Sequence, residues 1–306
     1  MRACLFLTLL AVLAVPSLGA TEAFTSGTKR SKSDRDILAI GHRNLANNKK
    51  GLGNWYPPDR EIEMGKQLST QLELSLKLLD DRDITAYVAK VGDNIAKNSD
   101  LQMPVTFRLI DSDQVEAFTL PGGYQYLSRG LLLELQSESE LASVLARGIA
   151  HTALRSATRL MTRQQWANIG TIPLIVIGLS RAPSANLARN SSLSNTPLIM
   201  LGFKRQFEFD ADYFGIQYLY KAGYNTDSFT DVVQRMWPST KAPAEAFSPF
   251  PPTSDRVKLL REEIVDLLPR RAGALVSTPE FERFRQLVLA RKLMPAQNEG
   301  LPLPHE

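Results

Sequence analysis

The chain has 306 residues, a formal net charge of +4 from 36 basic and 32 acidic side chains, and a single cysteine, Cys4. So small an excess, with no basic run interleaved with aromatics, excludes a nucleic-acid footprint, and no nucleic-acid partner is expected. A lone cysteine at position 4 leaves the rest of the chain without a disulfide or a thiolate for metal, so stability must come from a core that this length can bury.

The N-terminus carries one charge at Arg2, an apolar stretch from Leu5 to Val15, and then Pro16-Ser17-Leu18-Gly19-Ala20. This reads as a secretory signal peptide over residues 1–20, because the stretch is shorter than the roughly 20 residues that span a bilayer. An exported protein, periplasmic or secreted, is expected. Residues 21–60 are polar and broken by glycine, proline and asparagine. They read as an N-terminal arm whose end Trp55-Tyr56-Pro57-Pro58 pins to the domain.

A domain follows over 61–268. Ile62, Leu68, Leu72, Leu76 and Leu79 fall at near-helical spacing, and a second helix after Asp83 carries Ile84, Val88, Val91 and Ile95 on one face. Thr106 to Ile110 alternates as a strand does. Ala117–Leu120 and Tyr124–Ser128 form a hairpin around Pro121-Gly122-Gly123. Ser137 and Glu140 make a capping-box pair that opens a further helix. Its apolar stripe is Leu141, Val144, Leu145, Gly148 and Ile149, while Arg147 and His151, four apart, project together from a neighbouring face.

The run Ile172 to Leu179 is apolar, and the Ser/Asn-rich segment 180–195 follows it. Together they fit either a core element with a surface loop or a hairpin covering a cleft. A helix from Pro197 to Lys221 places Glu208 and Asp212 one turn apart on a shared face. Residues 269–306 read as a helical extension, opened by Thr278-Pro279 and carrying Phe281, Phe284, Leu287 and Val288, with a tail. No repeat of about 34 residues is present, so a tetratricopeptide tail is not expected.

Three stretches carry a likeness. They are Ala117-Phe118-Thr119-Leu120-Pro121-Gly122-Gly123-Tyr124, the element Glu208-Phe209-Asp210-Ala211-Asp212, and Phe250-Pro251-Pro252-Thr253-Ser254-Asp255-Arg256. In this order they resemble the HtpX-like and CAAX-prenyl-protease family of zinc metallopeptidases, of gluzincin type, and its soluble periplasmic members most closely. The likeness covers roughly Glu61 to Leu268. It implies an α+β fold, mostly helical and zincin-like, with a small sheet beside the motif helix.

The family's His-Glu-x-x-His motif puts two histidines one turn apart on zinc and leaves the glutamate to activate a water. Position by position, the two histidines fall on Arg147 and His151, the general base on Gly148, and the third ligand on Glu208. The acid that steadies a histidine ligand falls on Asp212, and a histidine before the late arginine falls on Phe250. The resemblance therefore leaves no intact catalytic residue. His151 and Glu208 remain as residual metal positions, and zinc, the family's cofactor, is expected to bind weakly or not at all. The other histidines, His42 and His305, lie near the ends of the chain.

A guanidinium aimed at an ion's place repels the ion, and it can form a fork to carboxylates. Arg147 is accordingly expected to bridge to Glu208, Asp212 or both; the alternative is that it snorkels to solvent. Three functions stay open. One is a pseudopeptidase in envelope quality control, which holds an extended polypeptide client or an active peptidase relative. The second is an active metalloendopeptidase with an atypical site, and the third is a purely structural envelope protein. A sheet edge beside the cleft would let a client add a strand without zinc. Proximity to a membrane, the client and the oligomeric state stay open.

Overall fold

The computed structural model describes residues 30–46, 53–166, 177–180, 198–236 and 253–293. The chain divides into two units, residues 1–31 and residues 32–306. Of the first only Arg30 and Ser31 are described, so the expected signal peptide lies outside the described residues. So do Ile172–Val176, most of the Ser/Asn-rich segment, Phe250-Pro251 and the tail.

Within the stretch expected to be an arm, a short helix α1 (Lys32–Arg35) leads into chain that is docked on the domain. Ile40 and Leu45 are buried in the main core. Arg43 reaches Asp100 (Nε to Oδ2, 2.9 Å) and Gln217 (Nη1 to Oε1, 2.8 Å), and Tyr218 donates to Asp100 as well. Further on, Trp55 N donates to Thr162 Oγ1 and Tyr56 O accepts from Arg155, which pins the end of this stretch.

Helix α2 (Pro58–Glu73) opens with proline in its first turn and with Asp59 and Glu61 near the positive end of its dipole. It stops before Leu76 and Leu79, so the expected stripe extends beyond the helix. Helix α3 (Arg82–Lys97) starts where Asp81 accepts from Asp83 N and Ile84 N, and it buries the expected Ile84, Val88, Val91 and Ile95.

Strands β1 (Thr106–Ile110), β2 (Glu116–Thr119) and β3 (Tyr124–Ser128) follow, with β2 and β3 joined as the expected hairpin. Gly122 and Gly123 hold φ of 73° and 85° in its turn, a region that glycine enters without strain. β1 pairs parallel with β3, and β4 (Ile177–Ser180) pairs antiparallel with the other side of β2, giving the order β1-β3-β2-β4. Part of the apolar run 172–179 is thus an edge strand, and β2 is paired on both sides.

Helices α4 (Arg129–Glu134), α5 (Glu138–Ala153), α6 (Ser156–Trp166), α7 (Leu198–Lys221), α8 (Asp227–Met236), α9 (Thr253–Leu267) and α10 (Pro279–Leu293) complete the described fold. α5 is buried almost all round, with only Gly148 half-buried, as befits a helix enclosed by other elements. It lies against α3, α7, α8 and β2. α10 is opened by Thr278, whose hydroxyl accepts from Phe281 N, and it packs Phe281, Phe284 and Val288 on the core. Leu287, expected on that stripe, is 41 % exposed. The fold is α+β and mostly helical, with the small sheet beside α5.

Candidate functional site

Two helices build the site. α5 begins where Ser137 accepts from Glu140 N, and Glu140 reaches back to Gln136 N, so the register of everything after it is set. One turn apart on α5, Arg147 and His151 face α7. Gly215 of α7 lets the two helices approach: a Cβ there would sit 3.2 Å from the Cα of Arg147. The approach brings Glu208 and Asp212 to the same place.

All four residues are buried, none more than 4 % exposed. Arg147 forms an ion pair through Nη2 with Glu208 Oε2 and donates from Nε to Asp212 Oδ1 at 3.0 Å. The guanidinium therefore bridges both carboxylates. Asp212 is also held by Arg256 of α9, Nε to Oδ2 at 2.6 Å and Nη2 to Oδ1 at 2.9 Å. Two guanidiniums and two carboxylates balance in charge, as buried ions must. His151 Nε2 lies 3.7 Å from Glu208 Oε2, and its Nδ1 lies 3.4 Å from Ser156 Oγ.

Burial, reinforced by the nearby charges of Arg147 and Arg256, holds the His151 imidazole well below its ordinary pKa, so it is neutral. Burial also pushes Arg147 down, to about 10, against the pull of Asp212. The guanidinium is still a cation at neutral pH.

Above the helix, β2 and β3 roof a small cleft of about 20 Å³ lined by Ala117, Thr119, Gln125, Val144, Gly148 and His151. Gln125 leans onto Gly148 from β3. A close neighbour helix would be one reason for a glycine on the apolar stripe; the neighbour here is this amide, and the close helix contact is at Gly215. Gln125 Nε2 and His151 Nε2 are buried without a hydrogen-bond partner among the described residues.

The chain also matches the model of peptidase family M48 over residues 83–264, more than half its length. The chain belongs to peptidase family M48. It is similar to the beta-barrel assembly-enhancing protease of Escherichia coli K12, 29 % identical over 184 residues that cover 58 % of this chain and 37 % of that protein. A Vibrio cholerae protein that carries the same name provisionally is 32 % identical over 183 residues, 58 % of this chain and 38 % of its own. The mitochondrial metalloendopeptidase OMA1 of Arabidopsis thaliana is 26 % identical over 210 residues, 66 % of this chain and 42 % of its own. The matched region spans less than half of each relative.

M48 peptidases are zinc-dependent, and a catalytic zinc needs three protein ligands and a water. The side chains here do not fit it. Among the described residues no group of three or more His, Cys, Asp and Glu side chains is arranged to hold a metal. The third direction is filled by Arg147, already committed to Glu208. Gly148 offers no base to take a proton from water. The arrangement is a charge-balanced floor beneath a small cleft that holds unsatisfied polar groups.

Two contributors are not assigned by sequence reasoning. Arg256 stands in the Thr253-Ser254-Asp255-Arg256 run, and the need for a second cation opposite two buried carboxylates is the signal that points to it. Gln125 carries no such signal, since only the fold places β3 over Gly148.

Proposed function

We propose that this M48 member is a non-catalytic homologue, exported to the cell envelope, that holds unfolded or extended polypeptide in its cleft. The observation that carries the reading is the Arg147 guanidinium between Glu208 and Asp212, where the family places a zinc ligand. It supplies the positive charge that the carboxylates need and leaves no place for an ion to activate water. Support for polypeptide binding comes from the neighbouring sheet. β4 is one of the two edge strands of the described sheet, and an edge presents backbone donors and acceptors that an extended client can pair. The relatives' name suggests β-barrel proteins as the clients.

The test uses a fluorescently labelled, unfolded outer-membrane β-barrel protein and reduced casein. Saturable binding that a chelator does not change, with both clients recovered intact, is expected. Absence of binding, or fragments that disappear when chelator is added, would contradict the reading.

A further inference from the structure

Two buried polar ends meet the cleft without a partner among the described residues: Gln125 Nε2 from β3 and His151 Nε2 from α5. Their residues are 3 % and 2 % exposed, and both line the same cleft. Glu208 Oε2, 3.7 Å from His151 Nε2, is too far for a hydrogen bond. A buried polar group left unpaired costs free energy, so two of them in one cleft mark a place for a polar guest.

Size, charge and bonding capacity narrow the guest. The backbone of Gln125 is fixed in the sheet, in register with Phe107 of β1 and Thr119 of β2, and its amide is aimed at α5 beside Gly148. About 20 Å³ is room for one water-sized group, which suits a hydroxyl and is too little for an amide or a carboxylate. The charges of the floor are already matched, Arg147 with Glu208 and Asp212, so a charged guest gains no counter-ion. A hydroxyl donates and accepts at once. It therefore satisfies the amide together with whichever tautomer the imidazole adopts, whereas a carbonyl oxygen only accepts.

We propose that Gln125 and His151 form a subsite for one aliphatic hydroxyl, that of a serine or threonine in the polypeptide held by the cleft. This rests on the polypeptide-binding reading above and gives it a side-chain preference. Gly148 serves the way in: it is the one half-buried residue of α5, it lines the same cleft, and it brings no side chain to obstruct a guest.

The test compares fluorescent, lysine-capped peptides in which valine alternates with serine or with alanine, each titrated with the whole chain. A hydrogen bond between neutral groups contributes a few-fold in affinity, so two should make the serine peptide bind about tenfold tighter. Gln125→Met keeps the length of the side chain without its amide and should bring the two peptides level. His151→Leu, on a different element, should do the same. Melting curves report whether each variant is folded. A labelled, unfolded outer-membrane β-barrel protein, run alongside, reports on polypeptide binding itself. If the parent chain binds that protein but holds both peptides equally, the subsite is refuted while the polypeptide-binding reading stands. If it binds none of the three, that reading falls and the subsite with it. A serine preference that survives both substitutions would overturn the proposal, because the hydroxyl would then be read elsewhere.

Discussion

Gln125 occupies the room that a side chain on residue 148 would need: a Cβ built on Gly148 would lie 2.4 Å from Gln125 Oε1 and 2.7 Å from its Cδ. The two residues are complementary. Loss of the glutamate that the family uses as a base is matched by an amide from the sheet that fills its space. Reversal of the motif therefore has to displace the Gln125 amide, the far end of a flexible side chain.

Gly148→Glu should destabilise the fold by about 1–3 kcal/mol, the usual cost of overpacking, even though glycine itself costs a helix roughly 1 kcal/mol. Adding Gln125→Ala should recover most of that loss. Urea melts of the two single variants and the double variant measure the coupling, and strictly additive effects would show that the two side chains do not compete.

Rebuilding the metal site then needs three changes. Arg147→His, Gly148→Glu and Gln125→Ala together should take up zinc, since Glu208 is freed and Asp212 keeps Arg256 as its partner. The version without Gln125→Ala should take up markedly less. Metal content after dialysis decides, and equal uptake by both would refute the role given to Gln125.

Arg147→Met leaves Glu208 buried without its cation and should cost about 3–5 kcal/mol. Arg147→Lys should rescue little, because an ammonium is a point charge and does not fork to two carboxylates. Adding Glu208→Gln to Arg147→Met should return a large part of the loss. Equilibrium unfolding of the four proteins tests this, and a nearly neutral Arg147→Met would contradict the bridging role.

Glu116, at the start of β2, is 4 % exposed and its Oε2 has no hydrogen-bond partner among the described residues. Burial holds its carboxyl above the usual value of 4.5. A raised folded pKa in an acid means that stability is fully present below about 4.5 and is lost as pH rises through the folded value. Glu116→Gln should thus raise the melting temperature at neutral pH and have little effect near pH 4. A variant that melts lower at neutral pH than the parent would contradict the assignment.

Much of this was readable in the chain. Ser137 and Glu140 set the start of α5, the four-residue spacings put Arg147 with His151 and Glu208 with Asp212, and Pro121-Gly122-Gly123 marked the hairpin. All are local signals, written in capping chemistry and helical periodicity. What escaped depends on contacts between distant segments. β4 lies within an apolar run whose pattern suits a core element equally well, and only pairing with β2 makes it a strand. Arg256 and Gln125 reach the site from α9 and β3, and no spacing rule connects them to α5. Ile40 and Leu45 sit in a polar stretch, where their burial depends on the Arg43–Asp100 pair.

In the proposed function Arg147 does electrostatically what a metal does in M48 peptidases, so that no hydrolytic zinc is held. Zinc bound to the purified chain, measured alongside its action on casein, tests this most directly. Zinc well below one equivalent and intact casein are expected. One equivalent of zinc with chelator-sensitive cleavage would contradict that function.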